Sequence, residues 1–139
     1  MLKTLSITHM KLNRFPLRLL FVAIAALSVG EAAEPVPELQ FEDEIVRIRP
    51  DGEPLAQIPA RFKFRNQSNR QVNIVEVASC CSCTKATPAN SVIEPGDVSE
   101  ITVRFDGRGR ESLQRKRLVV RTDRGDRIIL TLVIELPSH

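Results

Sequence analysis

From Ala60 onward the chain alternates between apolar and polar positions. Ala60, Phe62 and Phe64 are separated by Arg61, Lys63 and Arg65, so an extended segment there has one apolar and one charged face. The same period of two recurs where Ile101, Val103 and Phe105 alternate with Thr102, Arg104 and Asp106. Between them, Gln71 to Ser79 is rich in Val and Ile. Two later runs, Leu118 to Thr122 and Arg127 to Leu136, flank Asp123-Arg124-Gly125-Asp126, which reads as the turn of a hairpin. Asn66 to Arg70 and Glu94-Pro95-Gly96-Asp97 supply further turn signals. After the first 33 residues no apolar set recurs at helical spacing over several turns. The pattern predicts an all-β sandwich of about seven strands. Neither the core Trp nor the widely spaced Cys pair of immunoglobulin domains is present, so an immunoglobulin-like topology rests on strand spacing.

The first quarter of the chain follows another rule. Lys3, Lys11, Arg14 and Arg18 form a basic start, followed by a largely apolar run of 11 residues from Leu19 to Val29. That run is shorter than the roughly 20 residues that span a bilayer. It predicts a signal peptide over residues 1–33, cleaved near Gly30, Ala32 and Ala33, with an uncleaved anchor as the alternative. Residues 34–42, opening Glu34-Pro35-Val36-Pro37-Glu38, read as a stiff linker or arm, and residues 43–139 as the sandwich domain. The expected location is outside the cytoplasm, periplasmic or extracellular, with no membrane insertion of the mature domain once the leader is cleaved.

Removing the leader changes the charge. It carries four of the 20 basic and one of the 17 acidic residues, leaving 16 of each. The basic character of the whole chain therefore argues for no nucleic-acid partner. The leader also takes both Met residues and His9, so the domain keeps no Met, Trp or Tyr, and His139 as its one histidine. Phe41, Phe62, Phe64 and Phe105 pattern as core, which leaves no aromatic platform for bases or sugars. No nucleophile elbow, internal His or paired carboxylate points to catalysis, and the domain is expected not to be an enzyme.

Several short motifs have plain structural readings. Arg124-Gly125-Asp126 is a hairpin turn rather than an adhesion tripeptide, Asn66-Gln67-Ser68 a turn rather than a glycosylation sequon, and Gly107-Arg108-Gly109-Arg110 a loop without a phosphate-binding Lys. The nine basic and four acidic residues from Arg104 to Arg127 largely alternate with apolar ones, as on the solvated face of two strands. An anionic envelope component is the partner that such charge would favour.

The constellation with chemical potential is Cys80-Cys81-Ser82-Cys83, which holds all three cysteines. In an extended strand Cys81 and Cys83 share a face with Cα atoms about 6.6 Å apart, whereas a disulfide wants Cβ atoms about 3.5–4.5 Å apart. A disulfide there needs a turn or bulge. Three thiols are also an odd number for an oxidising compartment. The readings are small apolar packing, a soft-metal site for Cu or Zn on Cys80, Cys81 and Cys83, and a redox or intermolecular disulfide. A closed zinc site needs a fourth ligand, for which His139 is the one imidazole.

Phe62-Lys63-Phe64-Arg65-Asn66, Ile74 to Thr84, Ile93-Glu94-Pro95-Gly96-Asp97 and Ile101 to Asp106 follow one order and spacing. In this the chain resembles the bacterial secreted domain-of-unknown-function family 1573, with its Phe-x-Phe-x-Asn strand, Ser-Cys-Gly-Cys-Thr motif and Pro-Gly-Glu turn. The resemblance runs from about Ala60 to Leu136. It implies an immunoglobulin-like sandwich, similar to major-sperm-protein-like domains, and no defined activity, substrate or cofactor. The family's Cys-Gly-Cys-Thr falls on Cys81, Ser82, Cys83 and Thr84, with Cys80 in place of Ser. Ser82 in place of Gly would be strained if the backbone there took a positive φ. The combined expectation is an exported, non-enzymatic interaction or scaffold module for an unknown protein or envelope component, with a thiolate metal-binding or redox protein as the alternative.

Overall fold

Strict alternation along one segment sets the inner layer. Ile58–Asn66 buries every second residue, Ile58, Ala60, Phe62, Phe64 and Asn66, and exposes those between. A computed structural model describes residues 36–52 and 54–137, and the expected leader with its cleavage positions Gly30, Ala32 and Ala33 lies outside them. Nine strands run through the described residues: β1 (Leu39–Phe41), β2 (Ile45–Ile48), β3 (Ile58–Asn66), β4 (Val72–Ser79), β5 (Thr84–Pro88), β6 (Val92–Ile93), β7 (Val98–Phe105), β8 (Leu113–Thr122) and β9 (Arg127–Glu135). That is two more than the expected seven, and β1, β2 and β6, with 3, 4 and 2 residues, are too short for alternation to register in sequence. Leu39–Phe41 falls in the stretch read as an arm, but pairs antiparallel with β3 and buries Leu39 and Phe41.

Two sheets form, ordered β1-β3-β7-β5 and β2-β9-β8-β4-β6. The chain changes sheet at every connection except the β8–β9 hairpin. All pairings are antiparallel apart from β2 with β9. Between the sheets lie Phe62, Phe64, Ile101, Val103 and Phe105 from one side and Leu118, Val120, Leu130, Leu132 and Ile134 from the other, all fully buried. Phe41 packs on Phe64 with ring centroids 4.9 Å apart.

The turns hold where their chemistry says they should. Glu94-Pro95-Gly96-Asp97 closes with the Asp97 N–H on the Glu94 carbonyl at 3.1 Å, and Gly96 supplies the positive φ of 82°. In the β8–β9 hairpin the Thr122 hydroxyl accepts from the Arg124 and Asp126 N–H groups, which fixes Arg124-Gly125-Asp126 as a turn.

Asn66 closes one end of the sandwich. Its amide donates to the Ile93 carbonyl at 3.0 Å and the Arg70 carbonyl at 2.8 Å, while its side-chain oxygen accepts from the Ser68 N–H and hydroxyl. Because Asn66 ends β3 and Ile93 lies in β6, this one side chain ties the two sheets together. With 1% of its surface exposed and its amide engaged, Asn66 offers nothing to a glycosyltransferase.

Candidate functional site

β4 belongs to one sheet and β5 to the other, so residues 80–83 must carry the chain between them. They do so as a turn rather than as extended strand. The Cys80 N–H donates to the Arg117 carbonyl, the Thr84 N–H to the Cys81 carbonyl, and the Asp106 N–H to the Cys83 carbonyl at 2.8 Å. The Ser79 hydroxyl is shared between the carbonyls of Thr84 at 2.8 Å and Cys81 at 3.1 Å. Turning brings the Cα atoms of Cys81 and Cys83 to 5.3 Å, and the two are joined as a disulfide. This is the condition the sequence set for such a bridge. Ser82 is not among the residues with positive φ, so the turn does not need the glycine of the family motif.

Of the three expected metal ligands, Cys81 and Cys83 are therefore bonded to each other and Cys80 is a free, exposed thiol. The disulfide leaves one thiol for a soft metal, and only reduction would present all three sulfurs of the Cu or Zn reading. Among the described residues no His, Cys, Asp and Glu side chains otherwise group in threes, and His139 lies outside those residues. The apolar-packing reading took Cys81 and Cys83 together as free side chains; the two are bonded, and the half-buried Cys83 alone of them packs against the core.

Sequence reading gave Thr84 no role, and the structure gives it one. Its side chain is buried, 2% exposed, and its hydroxyl oxygen lies 3.5 Å from the Cys81 sulfur and 3.7 Å from the Cys83 sulfur. Cys80 and Cys83 do stand at Cys-x-x-Cys spacing, but the bond joins Cys81 to Cys83 and leaves Cys80 free.

Beside Cys83 opens a depression of about 510 Å³, walled by Gln57, Ser82, Cys83, Lys85, Arg104 and Asp106, with Phe105 and Arg108 completing it. Lys85 and Arg104 sit directly opposite each other on β5 and β7. Asp106 is engaged elsewhere: Arg108 binds both its oxygens at 3.0 and 2.7 Å, and these bonds with that from the Arg108 N–H hold its carboxyl down to about 2. The loop reaches this position because Gly107 lies tight against Ile58, Leu136 and the Leu55 carbonyl, where a Cβ would meet atoms at 3.1–3.2 Å.

A second surface lies on the outward face of the five-stranded sheet. Ile45 is 56% and Ile129 43% exposed, and the half-buried Val119 stands opposite Ile129. Arg47, Arg115, Arg117 and Arg127 surround them without an ion-pair partner among the described residues, whereas Arg121 pairs with Glu76 at 3.2 Å. The alternation of basic and apolar residues read from sequence is therefore a real face. Register adds the neighbours that it could not show.

The disulfide closes a very short loop, so chain-entropy reasoning gives it about 1–2 kcal/mol. A Cys81→Ser, Cys83→Ser variant is expected to fold with that loss, read from paired denaturant melts. A loss of several times as much would mean that the bridge organises the crossover itself.

Two packed sheets with these crossovers, antiparallel except where β2 meets β9, define an immunoglobulin-like β-sandwich. The chain belongs to the family described as "Protein of unknown function (DUF1573)", which matches residues 40–135. Among solved structures it is similar to a protein of unknown function from Porphyromonas gingivalis W83, at 15% identity and TM-score 0.60, over 70% of this chain and 46% of that one. It thus spans about half the length of that relative. It is also similar to PapD-like domain 7 of human CEP192, at 10% identity and TM-score 0.61 over 77% and 92% of the two chains. The YadV chaperone aligns at 12% identity and TM-score 0.58 over 73% of this chain and 53% of that one. Likeness at these identities shows the fold. No curated protein matches the chain.

Proposed function

We propose that this protein is an exported, non-enzymatic β-sandwich module that binds a protein component of the cell envelope through the outward face of its five-stranded sheet. The observation that carries this is the exposed Ile45 and Ile129 set among Arg47, Arg115, Arg117 and Arg127, four arginines without an acidic partner among the described residues. Apolar centres ringed by arginine are the composition of protein-binding surfaces, and unpaired guanidinium groups favour an acidic partner. Similarity to a chaperone and to a PapD-like domain supports a module that works by contact with other macromolecules. Export is supported by the leader pattern of residues 1–33 and by the Cys81–Cys83 disulfide, since such bonds persist in oxidising compartments. The carboxyls of Asp106 and Asp123 are held below the usual carboxylate range by structural hydrogen bonds. Asp106 is bound by Arg108, and Asp123 by the backbone and side chain of Asn73, so both are occupied structurally.

The test places a photo-reactive residue at position 131, in the middle of the face, in the full chain expressed in its own host. A discrete cross-linked protein is expected, and is expected to vanish in an Arg117→Glu, Ile129→Asp variant whose melting midpoint matches the parent. No adduct in the parent, or the same adduct in the variant, overturns the proposal.

A further inference from the structure

The turn between β4 and β5 combines three features that the sheet face does not need. A disulfide is held in the turn of a crossover, a buried hydroxyl lies near both its sulfurs, and a depression beside Cys83 is lined by Lys85, Arg104 and the paired Asp106 and Arg108. Each has a physical consequence. Like charges directly opposite on neighbouring strands destabilise a sheet, yet Lys85 and Arg104 occupy such a pair without an acidic partner among the described residues. Their juxtaposition becomes favourable when an anion sits between or above them. A hydroxyl beside a sulfur gains most when that sulfur becomes a thiolate, because hydrogen bonds to charged groups are about twice as strong as neutral ones. Thr84 is therefore better matched to the opened disulfide than to the closed one. Cys83 lines the depression and Cys81 does not, which makes Cys83 the half of the disulfide that a molecule bound there would meet.

We propose that this depression admits a thiol carrying a carboxylate, which Lys85 and Arg104 hold while its sulfur exchanges with the Cys81–Cys83 disulfide. The ligand thiolate attacks the Cys83 sulfur from the depression. The bond between Cys81 and Cys83 breaks, its electron pair leaves on the Cys81 sulfur, and a new disulfide joins the ligand to Cys83. The Thr84 hydroxyl donates to the departing Cys81 thiolate, which then takes a proton from solvent. A second ligand thiolate attacks the ligand sulfur of the mixed disulfide and expels the Cys83 thiolate. Two thiols are thereby oxidised to one disulfide while Cys81 and Cys83 are reduced, with two electrons passing to the chain. The exchange is stoichiometric and needs no other oxidant. It uses a different surface from the envelope-binding face, so either proposal can fail without the other.

The test uses the full mature protein in its oxidised form, with glutathione as an anionic thiol and cysteamine as a cationic one. Adducts are mapped by peptide mass, and rates are expressed per thiolate. Glutathione is expected to add at Cys83, leaving Cys81 free, about tenfold faster relative to cysteamine than it does with a small-molecule disulfide. A Lys85→Glu, Arg104→Glu variant is expected to reverse that preference. Thr84→Val is expected to slow both thiols about tenfold, and Thr84→Ser, which keeps the hydroxyl, to restore the rate. Cys80→Ser is expected to leave the Cys83 adduct unchanged. Adducts confined to Cys80, attack mainly at Cys81, a preference untouched by charge reversal, or three free thiols in the oxidised preparation would each overturn the proposal.

Discussion

Asn66→Ala is expected to remove about 3 kcal/mol of stability, although it deletes a single amide from the end of a strand. The loss arises because the carbonyl of Ile93 and the N–H of Ser68 would be left without the partner each now has, while the Arg70 carbonyl would keep only the Ser68 hydroxyl. A buried polar group left unpaired costs more than its hydrogen bond was worth. Asn66→Asp is expected to lose a similar amount near neutral pH, since a carboxylate keeps the acceptor for Ser68 but donates nothing to the two carbonyls. Guanidinium melts of the parent and both variants check this. A loss below about 1 kcal/mol would show that water replaces the amide and that the link between the sheets is not needed.

Phe62→Ala should cost more still, about 4 kcal/mol, in the range typical of large-to-small changes at closed core positions. Phe62 has 0% of its surface exposed and sits mid-strand in β3, paired at Ile101 of β7. The surrounding residues come from both sheets, so collapse into the vacated volume would require a sheet to move. Domains of this size are stable by only about 5–15 kcal/mol. The variant is therefore expected to fold with a markedly lower melting midpoint, or to be partly unfolded at growth temperature. A loss under about 2 kcal/mol would mean that the two layers repack freely.

These expectations bear on the family motif. Phe62, Phe64 and Asn66 read in sequence as a strand running into a turn, and all three serve the fold: two in the core and one as the polar tie between sheets. The Cys-x-Cys-Thr portion has a different character. Cys81 and Cys83 close a turn at the surface, and Thr84 directs its hydroxyl toward both sulfurs. One half of the motif thus specifies the sandwich, and the other half forms the disulfide-bonded turn between its sheets.

Much of the layer structure was legible because a period of two is a local property. Phe62 and Phe64, Ile101, Val103 and Phe105, and the β8–β9 hairpin could be assigned inward faces or a turn from their immediate neighbours alone. The short strands escaped notice for the same reason: two to four residues cannot display a period. The sites were less legible because each depends on residues far apart in the chain. Arg117 and Ile129 look like ordinary solvated strand residues until β2, β8 and β9 are laid side by side.

By itself the sequence determined which side chains face inward, where the main turns fall, and that any bridge between Cys81 and Cys83 required a turn. Only the tertiary structure decided that the chain switches sheets at nearly every connection, that Asn66 reaches Ile93 across them, and that Lys85 and Arg104 meet beside Cys83. Facing is set by the backbone geometry of adjacent residues, which a sequence states directly. Partnership is set by the pairing register of distant strands, where each apolar strand could satisfy its inner face against several others, and the assembled core selects one arrangement.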